Sequence, residues 1–162
     1  MKRIICILLA LLCFVLPVAA EGNPFSPYGL TAPEGVACTE TEGTHTFVQG
    51  LTRVVAMVIE RVPDEKPQEA IIRMMAQFEP AAVIGEDLPV AEGFVGLTAL
   101  NTDKFGSGVD QLTVMVLSAQ GDLLILSGYD LQGDEEKVQT LLDALLSALT
   151  ADGMPVVITE EK

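Results

Sequence analysis

Cys38 and His45 have the side-chain types needed for thiol chemistry. A catalytic thiol needs a base that removes its proton and a third group that orients the base, and Glu40 and Glu42 lie nearby in the sequence. An extended chain would separate Cys38 from His45 by about 23 Å at roughly 3.3 Å per residue, so only a turn near Gly43 would bring them together. We therefore favour a small apolar cysteine and a surface histidine over a catalytic pair.

The glycine-rich segment 103–110 is a second candidate site, because Asp103 and Asp110 stand at its ends. Two carboxylates flanking one loop can serve as acid and base if burial raises the pKa of one of them. The segment lacks the alternating oxygen ligands and the closing glutamate of a calcium-binding EF-hand loop. We favour a plain connection between strands, with an enzyme as the alternative; an enclosing pocket would favour the enzyme.

Other motifs for cofactors and catalysis are missing from the sequence. Gly106-Ser107-Gly108 does not continue into a nucleotide-binding loop, and the G-x-S-x-G elbow of serine hydrolases does not occur. Zinc would need three or four ligands, and the softer donors are too few. We predict no catalytic residue, no metal site and no cofactor, and the ligand-binding residues remain unknown at this stage.

The amino-terminal sequence is typical of a secretory signal peptide. Met1-Lys2-Arg3 is basic, residues 4–18 are apolar, and Val18 and Ala20 supply the small side chains that a signal peptidase requires. We predict cleavage between Ala20 and Glu21. The alternative is an uncleaved anchor, but the apolar run is shorter than the roughly 20 residues that span a bilayer.

The cysteines add two inferences about the exported chain. Cys13 is preceded by Leu12, and a lipoprotein signal would have a small residue there, so we predict a product that is not lipidated. Cleavage removes Cys6 and Cys13, which leaves Cys38 without an intramolecular disulfide partner. A domain of this size must then be stabilised by its hydrophobic core.

The charge composition limits the possible partners. The 162 residues include 9 Lys and Arg against 23 Asp and Glu, a formal net charge of −14, and the seven basic residues that follow the signal peptide are scattered singly. Nucleic acid is excluded as a partner, because phosphate backbones select clustered Lys and Arg. We predict an unknown protein or small-molecule partner, no stable membrane insertion after cleavage, and a periplasmic or secreted location.

The mature chain is predicted to form one domain. Residues 21–35 are an extended, Pro- and Gly-rich lead-in, residues 36–151 form a single α+β domain, and residues 152–162 form a C-terminal tail. Periodicity predicts five strands and two helices. The strands cover residues 44–48, 51–62, 93–102, 110–118 and 123–128, and the helices run from Pro67 to about residue 79 and over residues 134–151.

The helices carry the apolar stripes that would form the core. Six apolar residues recur at helical spacing in the second helix, namely Val138, Leu141, Leu142, Leu145, Leu146 and Leu149. Met74 and Met75 in the first helix could form an adaptable ligand-binding surface beside Phe78, although core packing is the favoured interpretation. Hairpin-length connections predict an α+β fold, with a mostly antiparallel sheet of about five to six strands and two main helices packed on it.

Residues 28–35, Tyr-Gly-Leu-Thr-Ala-Pro-Glu-Gly, are similar to the short first strand and P-x-G turn of the Mog1/PsbP-like group, which includes DcrB-like proteins. The resemblance covers residues 28–151 and extends to the long hairpin and the leucine-rich last helix. It implies a scaffold or binding module without a shared reaction. We therefore expect an exported, soluble, non-catalytic module, with a hydrolase-like enzyme that uses carboxylates as the alternative.

Overall fold

The computed structural model describes residues 28–59, 62, 64–78, 80–104, 106, 108–118 and 122–158. The predicted signal peptide and its cleavage point between Ala20 and Glu21 lie outside the described residues. Within these ranges the chain forms two antiparallel sheets and two helices.

The main sheet has seven antiparallel strands in the order β2-β3-β4-β8-β7-β6-β5. Their bounds are β2 Ala37–Thr41, β3 Thr44–Gln49, β4 Thr52–Ile59, β5 Val83–Asp87, β6 Phe94–Asn101, β7 Gln111–Ser118 and β8 Leu123–Asp130. A small sheet, in the order β1-β9-β10, joins β1 Tyr28–Gly29, β9 Thr150–Ala151 and β10 Met154–Pro155. The α+β class and the antiparallel sheet are confirmed, but the predicted number of strands was too low.

The two helices lie on opposite faces of the main sheet. Helix α1, Pro67–Phe78, covers part of one face, and helix α2, Glu135–Ser147, covers the other. Alternate residues of β4 therefore contribute to different layers: Val54 belongs to the core under α2, and Met57 packs against the core under α1. Strand β4 is thus a central strand with apolar side chains on both faces.

Helix α2 is shorter than the sequence predicts. The side chain of Asp134 caps it by accepting a hydrogen bond from the Lys137 backbone N–H, but the helix ends at Ser147 and not at residue 151. Residues 150 and 151 form β9, which pairs with β1 and β10, so strand pairing replaces the last helical turn. Leu149 still lies in the core although it is outside the helix.

The core extends past residues 36–151 at both ends. Tyr28 and Val156, which the sequence analysis assigns to the lead-in and the tail, are both fully buried beneath α2. Tyr28 is also part of β1, where it pairs with Ala151. Residues 28–35 and 152–158 therefore form part of the folded domain.

Asp130 connects β8 to the start of α2 from a buried position. Its carboxylate accepts hydrogen bonds from the Thr52 hydroxyl at 2.8 Å and from the backbone N–H groups of Gln132 and Asp134 at 2.8 and 3.4 Å. Burial alone would raise the pKa of Asp130, but these hydrogen bonds and the nearby Lys137 outweigh it and lower the pKa. The side chain thus remains ionised and fixes the turn before the helix.

Candidate functional site

A cavity of about 290 Å³ lies between α1 and the sheet face that α1 only partly covers. We call it the methionine cavity, because four methionines contribute to its wall. Its apolar wall is formed by Val55, Met57, Met74, Met75, Met115 and Ile125. Its polar end is formed by Lys104, Gln111, Thr113, Ser127 and Tyr129.

Strand register explains why the cavity has an apolar and a polar end. Side chains two residues apart on a strand share a face, so each central strand contributes a row of alternating positions. One cross-strand row pairs Ile125 with Met57 and with Met115, and the next pairs Ser127 with Val55 and with Thr113. The wall of the cavity therefore changes from apolar to polar side chains along the strand direction.

The α1 wall of the cavity is held in place by an ion pair. Arg73 forms two hydrogen bonds with the carboxylate of Glu65, at 2.8 and 3.0 Å, and its Nη1 also donates to Met74 Sδ at 3.2 Å. The hydrogen bond to Glu65 raises the pKa of Arg73 above its already high ordinary value. Met74 and Met75 are buried, which confirms core packing, and they also line the cavity.

The polar end contains a buried hydrogen-bond acceptor that lacks a partner among the described residues. This atom is Oε1 of Gln111, a residue that is only 7% exposed. Nearby, the hydroxyl oxygens of Thr113 and Ser127 share one hydrogen bond at 3.0 Å. Leaving such an acceptor unpaired costs about 1–3 kcal/mol, so a buried polar atom of this kind calls for an explanation.

The structure brings Cys38 and His45 together, against the favoured interpretation of the sequence. Residues 42 and 43 form the turn between β2 and β3, with φ angles of 50° and 76°, and Cys38 Sγ lies 3.7 Å from His45 Nδ1. His45 Nε2 lies 3.6 Å from Glu40 Oε2, and the His45 side chain is only 14% exposed, so it is not a surface histidine. The Cys38 residue is exposed.

The electrostatics of this cluster are unsuited to a nucleophilic thiol. Partial burial of the sulfur raises the pKa of Cys38, and the negative charge of Glu40 raises it further. A reactive cysteine requires the opposite shift, because the thiolate is the nucleophile. The geometry therefore resembles a catalytic arrangement, while the thiolate that the chemistry requires is disfavoured.

Asp103 and Asp110 stabilise the loop that contains them. The Asp103 backbone N–H donates to Asp110 Oδ1 at 2.8 Å, and the Gly108 N–H donates to Asp103 Oδ1 at 2.6 Å. Asp110 lines a cleft of about 370 Å³ on the α2 face together with Glu135 and Glu136, whereas Asp103 is exposed and does not line it. Neither the methionine cavity nor this cleft is lined by both carboxylates.

Within the part of the chain that the structure describes, no group of three or more His, Cys, Asp and Glu side chains is placed to hold a metal ion. None of the helices described is both long and apolar enough to cross a membrane.

The fold, with two helices on opposite faces of an antiparallel sheet, is similar to the PsbP/Mog1-like α+β folds. The solution structure of cyanobacterial PsbP (CyanoP) from Synechocystis sp. PCC 6803 superposes with a TM-score of 0.54 at 14% identity, covering 77% of this chain and 86% of that one. LpqN, involved in cell envelope biogenesis of Mycobacterium tuberculosis, superposes with a TM-score of 0.50 at 16% identity, covering 81% and 83%. The predicted resemblance in fold is thus confirmed.

Sequence comparison adds nothing to this structural likeness. No family model matches the chain, and no curated protein matches it significantly in sequence. The similarity therefore establishes the fold, and function must be argued from the site.

Proposed function

We propose that the protein is an exported, non-catalytic binding module that holds a small, largely apolar ligand in the methionine cavity. The observation that carries this proposal is the composition of that cavity, in which four methionines surround one end and hydrogen-bonding side chains form the other. Methionine side chains are flexible and polarisable, so they adapt to apolar ligands of varied shape. Ligand pockets usually combine such a wall with a few polar groups.

The size of the cavity favours a small molecule over a protein partner. Its volume of about 290 Å³ lies near the lower end of the range for small-molecule sites. The two candidate catalytic pairs are poorly suited to catalysis, because the raised pKa of Cys38 disfavours its thiolate and the carboxylates of Asp103 and Asp110 accept hydrogen bonds from their own loop. A catalytic role therefore has weaker support than binding.

Export is the second part of the proposal, and it rests on the amino-terminal sequence. The similarity to LpqN, a protein of cell envelope biogenesis, is compatible with it. We expect the mature protein to begin at Glu21, because Val18 and Ala20 meet the requirement of the peptidase. Intact mass of the protein recovered from the exported fraction tests this, and a species that retains residues 1–20 or carries lipid on Cys13 would contradict it.

Filling the cavity is expected to abolish most of its ligand binding. Val55 is half-buried in the cavity wall, and a Val55→Phe substitution places an aromatic ring in the space that the ligand would occupy. We expect the affinity for a medium-chain aliphatic alcohol to fall at least about tenfold, which corresponds to about 1.4 kcal/mol. Calorimetric titration of the purified mature protein with octanol measures this change.

The matched control uses the same substitution on the same face of the sheet. Val48 lies on β3, its neighbour across the strand pair is Arg53, and it does not line the cavity. Val48→Phe should leave the octanol affinity within about twofold, which is about 0.4 kcal/mol. Absence of octanol binding to the wild-type protein, or equal affinities of the two folded variants, would contradict the proposal.

A further inference from the structure

The unpaired acceptor of Gln111 indicates the chemical class of the ligand. We infer that the methionine cavity selects an uncharged amphiphile, whose aliphatic part lies among the methionines and whose hydroxyl or N–H group donates a hydrogen bond to Gln111 Oε1. This inference rests on the proposed function of the cavity, and it specifies what that cavity recognises.

The position of Gln111 supports a role in recognition. It is the first residue of β7 and shares a face with Thr113 and Met115, so its amide lies at the polar end of the apolar wall. Thr113 and Ser127 share one hydrogen bond, whereas Gln111 Oε1 is a buried lining atom that has no hydrogen-bond partner among the described residues. A ligand donor at this point would remove the cost of the buried, unpaired oxygen.

The surrounding polarity favours an uncharged head group. A carboxylate has no hydrogen to donate to Gln111 Oε1, and it would place a second acceptor against that oxygen. Lys104 also lines this end, but it already has a polar or electrostatic interaction within the chain, so an anionic head group would have to compete for it. An ammonium group could donate, but burying its charge without a paired carboxylate is costly, and no acidic side chain lines the methionine cavity. A hydroxyl or an amide N–H supplies the donor without a buried charge.

Two isomeric probes separate hydrogen bonding from apolar burial. Octanol carries a hydroxyl donor, whereas heptyl methyl ether has the same atoms and can only accept hydrogen bonds. We expect the wild-type mature protein to bind octanol about tenfold more tightly than the ether, because only octanol satisfies Gln111 Oε1. Calorimetric titration at one temperature and one salt concentration gives both dissociation constants.

The variant Gln111→Met keeps the length of the side chain and removes the acceptor. We expect its preference for octanol over the ether to fall to about twofold or less, while the ether still binds, which also shows that the cavity remains folded. Gln139→Met is the matched control, because Gln139 lies on α2 at the opposite face of the sheet and should leave the tenfold preference intact.

The outcomes separate this inference from the proposed function. If neither probe binds the wild-type protein, the proposed function fails and this inference fails with it. If both probes bind with equal affinity, or if the preference persists in Gln111→Met, the cavity is a ligand site but the inference about Gln111 is wrong. Should Gln111→Met not fold, Gln111→Asn, which draws the amide back by one methylene, should also lose the preference, and its retention would overturn the inference.

Discussion

Replacing Leu142 with alanine is expected to lower the free energy of unfolding by about 2–5 kcal/mol. Leu142 is fully buried in the stripe that α2 presents to the sheet, and Leu145 lies beside it with no exposed surface. The helix approaches the sheet closely at Gly128, where a Cβ atom would lie 2.8 Å from Val138 Cγ1. Little room exists for neighbouring atoms to refill the deleted volume, so we expect a residual cavity.

Chemical denaturation of the mature protein measures the change, and Leu131→Ala provides the matched control. Leu131 lies between β8 and α2 with 55% of its surface exposed, so its removal should change the free energy of unfolding by about 0.5 kcal/mol or less. A loss at position 142 that is no larger than the loss at position 131 would show that α2 is not a principal part of the core.

The helices and strands with strong apolar periodicity could be predicted from the sequence, because the spacing of their apolar residues indicates which face is buried. Helix α2 and strand β4 are examples, and both lie within the ranges that the sequence predicts for them, although each is shorter than predicted. The edge strands β2 and β5 were not predicted. Every residue in them is exposed, so neither strand has a buried face that would require alternating apolar and polar side chains. Their strand conformation comes from pairing with β3 and β6.

The candidate site depends on packing that local sequence does not encode. Met57, Met74 and Met115 come from three different elements, and only the strand register and the position of α1 bring them to one cavity. The sequence did indicate Met74 and Met75 as a possible adaptable surface, but the same spacing is typical of core residues. The unpaired state of Gln111 Oε1 follows from what its neighbours bond to, which cannot be read from residue order.

The contact between Cys38 and His45 illustrates the same limit at shorter range. The sequence identifies a turn near Gly43 as the condition for this contact, and the structure contains that turn. Whether the pair is chemically useful depends on the pKa of the thiol, which partial burial and Glu40 raise. The local sequence thus provided the condition for the contact without predicting it, and the electrostatic environment decides what chemistry the pair can perform.

Replacing Tyr28 with alanine is the second change with a large expected effect, a loss of about 3–5 kcal/mol in the free energy of unfolding, the range for large aromatic side chains. Tyr28 is fully buried, packs with Phe94 at 6.5 Å between ring centroids, and holds β1 against β9. Thermal or chemical denaturation measures the loss. A change below about 1 kcal/mol would show that the first strand contributes little to the domain.

Tyr28→Phe isolates the contribution of the hydroxyl, which accepts from the Ser118 N–H at 3.1 Å and lies 2.8 Å from the Asp122 carbonyl oxygen. Its removal takes a hydrogen bond from each of these partly buried groups, so we expect a loss of about 1–3 kcal/mol, larger than for Tyr129→Phe on the half-buried opposite face.

The same hydroxyl makes stability depend on pH. Burial, which outweighs the hydrogen bond from Ser118, raises the pKa of Tyr28 from 10.0 to about 12. Because the folded-state pKa is the higher one, the stability linked to the neutral hydroxyl is complete below pH 10 and is lost as the pH rises from 10 towards 12. Stability curves of the two proteins should therefore converge over that interval, and parallel curves would show that the Tyr28 hydroxyl titrates alike in the folded and unfolded chains.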